Sequence, residues 1–102
     1  MPLVYLTQLV YVNPGKESMF DLFEDVAIPL IAKHRGELLL RGRPTKDIIV
    51  AAGIDVPYEI HFVRFRNEDD FEKFSEDEAR QQVLHLKDQS VRAVILVKGT
   101  TS

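Results

Sequence analysis

The segment 91–97, VRAVILV, constrains the fold more than any other part of this chain. As a strand it puts Val91, Ala93, Ile95 and Val97 on one face and Arg92, Val94 and Leu96 on the other. A surface strand of a small domain normally alternates apolar with polar. Here both faces are mostly apolar, so each calls for a cover. A chain of 102 residues is long enough for one core, and we expect 1–102 to form a single domain.

The rest of the chain supplies the partners for this strand. Residues 3–12, LVYLTQLVYV, are rich in β-branched and aromatic residues and predict a first strand. NPG at 13–15 ends it, with Asn13 as a cap and Pro14 suited to a first helical turn. Between 16 and 35, Met19, Phe20, Phe23, Val26, Ala27, Leu30 and Ile31 recur at steps of three and four, which predicts a helix. Pro29 predicts a kink in it, and Gly36 its end. ELLLRGR at 37–43 reads as the second strand and YEIHFVRFR at 58–66 as the third, with a long connection at 44–57 that forms a flap or an extra strand. Asn67 opens a second helical region, which Ser75 and Glu78 divide as a capping box. The fourth strand spans 91–98. The order β-α-β-β-α-β predicts an α+β, ferredoxin-like fold: a four-stranded antiparallel sheet with helices on one face.

Helices on one face leave the other open. Sorted by parity, the helix side receives Tyr5, Thr7, Leu9, Tyr11, Leu38, Leu40, His61, Val63, Phe65, Val91, Ala93, Ile95 and Val97, because this set holds the all-apolar face of the last strand. The open face then receives Val4, Leu6, Gln8, Val10, Leu39, Arg41, Ile60, Phe62, Arg64, Arg92, Val94, Leu96 and Lys98. Its apolar members would form an unusually large exposed patch. Covering them is worth on the order of 10–20 kcal/mol, against roughly 4–15 kcal/mol for association. We therefore expect a homodimer in which two sheets face each other and form an α/β barrel.

Gln8, Arg41 and Arg64 all fall on that interior face, where charged groups need partners or a role. They are the candidate ligand-binding residues for a small anionic or carbonyl-bearing molecule, since arginine offers forked donors to a carboxylate. The alternative is that the arginines pair with Glu37, Glu59 or the partner chain. His34, at the end of the first helix, is the candidate catalytic base if any chemistry occurs. His61 reads as a satisfied, partly buried histidine and His85 as a surface residue. The histidines share no metal-ligand spacing, so no metal is expected, and no nucleotide loop or other cofactor motif is present. The net charge of -3 argues against nucleic acid or an anionic membrane as partner, and the lack of cysteine excludes thiol chemistry. A cytoplasmic location is expected by default.

Several passages carry a resemblance. VNP at 12–14, AIPLIAKHRGELLLRGR at 27–43, VRFRNEDDFEKFSEDEAR at 63–80 and ILVKG at 95–99 resemble the dimeric α/β-barrel superfamily, and within it the uncharacterised domain-of-unknown-function family 1330. Two positions depart from that family's pattern. Arg35-Gly36 stands where Gly-Gly is common, and Val10 and Arg64 stand where acidic residues are frequent. The resemblance implies the barrel-forming dimer. It also implies either ligand binding without catalysis or a cofactor-free isomerase, decarboxylase or monooxygenase.

Overall fold

The computed structural model describes residues 2–101. Its elements are β1 (Val4–Val12), α1 (Glu17–Lys33), β2 (Gly36–Gly42), a single 3-10 turn (Lys46–Ile48), β3 (Glu59–Phe65), α2 (Glu68–Glu76), α3 (Glu78–Ser90) and β4 (Val91–Thr100). The sheet is antiparallel throughout, in the order β2-β3-β1-β4. This is the ferredoxin-like arrangement expected from the order of elements.

The parity of β1 and β4 is the reverse of the expectation. Val4, Leu6 and Val10 are buried, and pack with Ile31, Val63 and Phe65 or with Phe20, Phe23 and Ala27. They face the helices. Cross-strand partners share a face, so Val94, Leu96 and Lys98 lie on the helix side with Val10, Gln8 and Leu6. Tyr5, Thr7, Leu9 and Tyr11 line the opposite face with Phe62, Ile60, Ala93, Ile95 and Val97. Both candidate sets of β1 were apolar, and the choice between them rested on β4. That strand is an edge which the helices hardly cover, so its more apolar face is not the core face. A register shift between Leu38 and Leu40 adds a further inversion. Leu38 packs in the core, Leu40 is exposed opposite Phe62, and Arg41 falls opposite His61.

Local signals differ in detail. NPG forms a turn with Gly15 at φ +84°, and α1 starts only at Glu17, which accepts from the Gly15 N–H. Helix α1 continues through Pro29 to Lys33. Arg35, at φ 62°, takes the left-handed position expected of Gly36. Gly36 is required for a different reason: a Cβ there would meet Ile31 Cγ2 and Phe65 Cε1 at 2.7 Å. The break in the second helical region falls at Asp77, two residues after Ser75. The Asp77 Oδ1 accepts from the Ala79 N–H and caps α3. The 44–57 connection adds no strand. It leaves Ile48, Val50 and Ile54 exposed and is held at Asp55, whose carbonyl accepts from the Tyr11 hydroxyl.

The core is divided in two. One cluster centres on Val4, Leu6, Ile31, Val63 and Phe65, the other on Val10, Phe20, Phe23 and Ala27. Between them, β1 contributes Gln8, β3 contributes His61 and α1 contributes Glu24. A polar band therefore crosses the middle of an apolar layer, and there the candidate site lies.

Candidate functional site

The register sets the geometry. Arg41, His61, Gln8 and Leu96 are successive cross-strand partners, so they form one row across the helix-facing side of the sheet. Glu59 stands two residues before His61 in β3 and shares its face. Above this row a cavity of about 160 Å³ lies between sheet and helices. It is bounded by Gln8 and His61 below, Glu24 from α1, and Arg80 and Lys87 from α3, with Phe23 and Phe74 among its apolar walls. A cavity near this size accommodates a molecule about as large as benzene.

The polar groups are tightly coupled. His61 Nε2 is 2.6 Å from Glu59 Oε2 and 3.9 Å from Glu24 Oε1, and its Nδ1 is 3.3 Å from the Gln8 side-chain oxygen. Glu59, 1% exposed, also accepts from Arg41 Nε at 2.9 Å and Arg43 Nε at 3.2 Å. Burial tends to raise the Glu59 pKa, but the hydrogen bond and charge of His61, with Arg41, outweigh it and hold the carboxylate below its usual range. Glu24 is the reverse case. It is 5% exposed, forms no hydrogen bond, and burial pushes its pKa up to about 7, opposed in part by His61. Two carboxylates less than one helix diameter apart thus hold opposite tendencies, because only one of them has donors.

The cations on the other wall are also short of partners. The Arg80 guanidinium lies 5.6 Å from the Phe23 ring centre and 5.4 Å from that of Phe74. Its Nη1 donates to the Ser75 carbonyl, while its buried Nε has no partner. Burial lowers the pKa of Arg80 and of Lys87. Among the residues that line the cavity, the cations Arg80 and Lys87 outnumber the one carboxyl, Glu24; farther out, Arg41 and Arg43 are taken up by Glu59 and Asp21, and Asp88 acts on both lining cations. The lining itself thus has a positive surplus, which suits an anion. Donor atoms of Glu24, Glu59 and His61 do lie within 4.8 Å of one another, a grouping able to ligate a metal. The encircling cations work against a divalent ion there.

The four residues singled out from the sequence are dispersed. Gln8 lines the cavity. Arg41 belongs to the same row but is engaged with Glu59. Arg64 lies on the opposite face, paired with Glu37 at 2.8 Å and 6.0 Å from the Tyr5 ring centre. His34 sits at the end of α1, where its Nε2 is 2.7 Å from Asp77 Oδ2, outside the cavity. Glu59 was named only as a pairing partner for the arginines, which it is for Arg41, and His61 only as a satisfied, partly buried histidine; Glu24, Arg80 and Lys87 were not named as site residues. A signal for three of them existed. Glu24 stands within the Phe20, Phe23, Ala27 stripe, and Arg80 and Lys87 flank Val83 at steps of three and four.

These features define a ferredoxin-like α+β protein with a mostly apolar cavity between sheet and helices, into which a few charged and polar groups face. Solved structures share the fold. RPA0582, a protein of unknown function from Rhodopseudomonas palustris, superposes with a TM-score of 0.80 at 10% identity, over 98% of this chain and 82% of that one. A dimeric ferredoxin-like protein of unknown function from Bacteroides fragilis gives 0.70 at 12% identity, over 97% of this chain and 96% of that one. A DABB family protein with a ferredoxin-like fold from Mesorhizobium loti gives 0.69 at 10% identity, over 100% and 99% of the two chains. No family model matches the chain, and no curated protein does.

Proposed function

We propose that the cavity between sheet and helices binds a small anionic or carbonyl-bearing molecule. The observation that carries this reading is the buried, unpartnered Nε of Arg80, which faces the same space as the buried Glu24 carboxyl. Buried polar groups are normally satisfied, and a ligand supplies what the protein omits. Arg80 and Lys87 anchor the anion, and Gln8 and His61 face its polar end.

A second reading, cofactor-free proton transfer on such a molecule, is favoured by the Glu59–His61 pair. Glu59 accepts from His61 Nε2–H, and Nδ1 lies 3.3 Å from the Gln8 side-chain oxygen, an acceptor, so a proton taken up on Nδ1 is shared with Gln8 while the carboxylate balances the ring's charge. In this reading His61 takes the role assigned to His34 from the sequence. Arg41 positions Glu59.

Titration calorimetry with 4-oxopentanoate, which carries a carboxylate and a ketone, tests the site. Arg80→Met is expected to weaken binding by about tenfold or more, in line with a charge-assisted pair worth at least ~1.4 kcal/mol. Arg64→Ala, on the opposite face, is expected to leave it unchanged. An equal loss in both variants would place the ligand elsewhere.

We also infer that two copies pair through the outer face of the sheet. Its support is the exposed apolar surface of Leu40, Ile95 and Val97 beside the half-buried Leu9 and Phe62, together with the dimeric description of the Bacteroides fragilis neighbour. Membership of the family numbered 1330 belongs to the same proposal. Among the described residues no helix is long and apolar enough to cross a membrane.

A further inference from the structure

We propose that Glu24 enters the complex as a neutral carboxylic acid, donating a hydrogen bond to the ligand's carbonyl or carboxylate oxygen, so that an anion is bound together with a proton. This inference rests on the pocket reading above and specifies how that pocket recognises its ligand.

The geometry supports it in three ways. Glu24 is almost wholly buried and lines the cavity, and its ion-pair contact with His61 Nε2, at 3.9 Å, is too long for a hydrogen bond. The groups that could keep it ionised are already engaged or distant. From the strands, His61 is committed to Glu59 at 2.6 Å and stands 3.9 Å from Glu24, and Arg41 is held by Glu59. The Glu59 carboxylate itself repels a second negative charge on Glu24. From α3, Lys87 and Arg80 face Glu24 across the cavity and act on it through charge alone. An anion entering this space takes those two cations for itself and adds a further negative charge. Both changes favour protonated Glu24. Burial has already brought the empty site near the balance point, with Glu24 at about 7.

The ligand class follows. It is a small monoanion with a second, uncharged acceptor oxygen. Its carboxylate fits the Arg80–Lys87 wall, and its carbonyl accepts from Glu24.

The test is titration calorimetry of the whole chain with 4-oxopentanoate in HEPES and in Tris, whose ionisation heats differ. Near pH 7.5 the apparent heats are expected to differ in the sense of proton uptake, and affinity to fall about tenfold per pH unit above that range. In Glu24→Gln both the buffer dependence and the pH slope are expected to vanish. Retention of the buffer dependence in Glu24→Gln would assign the proton to His61 and overturn the inference. Binding by the unaltered chain with identical heats in both buffers would also overturn it, while leaving the pocket reading intact. Absence of binding in every buffer would remove the pocket reading itself.

Discussion

Glu24 and Glu59 are close in space and opposite in behaviour. Glu59 has three donors and stays ionised; Glu24 has none and resists ionisation. The consequence for stability follows from the signs. Glu24 binds its proton more tightly folded than unfolded, so its contribution is fully present below pH 4.5 and is lost as pH rises through about 7. The shift amounts to roughly 3 kcal/mol. Glu24→Gln carries no ionisable group, so the variant is expected to gain about that much over the unaltered protein between acid and pH ~8, read from urea midpoints across pH. Glu59 has the opposite sign. Its contribution is present above its unfolded pKa and lost as pH falls through the lower folded value.

At the scale of elements, Asp77 joins three helices. It caps α3, sits at the break after α2, and receives Lys33 and His34 from the end of α1 at 2.8 and 2.7 Å. Those hydrogen bonds, Lys33 first, depress its pKa strongly. Asp77→Ala is therefore expected to lower the melting temperature at neutral pH, and the difference to narrow as pH falls below the ordinary carboxylate range, where Asp77 protonates. The elements themselves were legible in the sequence, because strand propensity in 3–12 and the helical stripe from Met19 to Ile31 are local signals. Which face of each strand looks at the helices was not. Val4, Leu6 and Val10 are the more apolar set of β1, but the all-apolar face of β4 pointed to Tyr5, Leu9 and Tyr11, and the bulge near Leu39 inverts Arg41 without leaving a mark in the sequence. That ambiguity separated Gln8 from His61, which are in fact direct partners, so the candidate site could not be assembled from the strands. The polar residues within apolar helical stripes were the better guide.

At the scale of the molecule, β4 is exposed on both faces, with Val94 36%, Ile95 41%, Leu96 52% and Val97 57% accessible. The two faces have different fates in our reading. Ile95 belongs to the dimer surface, whereas Leu96 borders the cavity. Ile95→Lys is expected to halve the mass measured by light scattering, while Leu96→Lys leaves it at two chains. Equal masses for the two variants would contradict pairing through the outer face. The position of β1 has a consequence of another kind. It lies inside the sheet, bonded to β3 on one side and β4 on the other, and among the described elements β4 is the one farthest from it in sequence. During synthesis β1 leaves the ribosome before β3 and β4, and one of its edges stays unpaired until residues 91–100 have followed. Completion of the sheet must wait for the most distant pairing available, which slows folding, and a nascent chain halted before β4 would present an open apolar strand edge to its neighbours on the polysome.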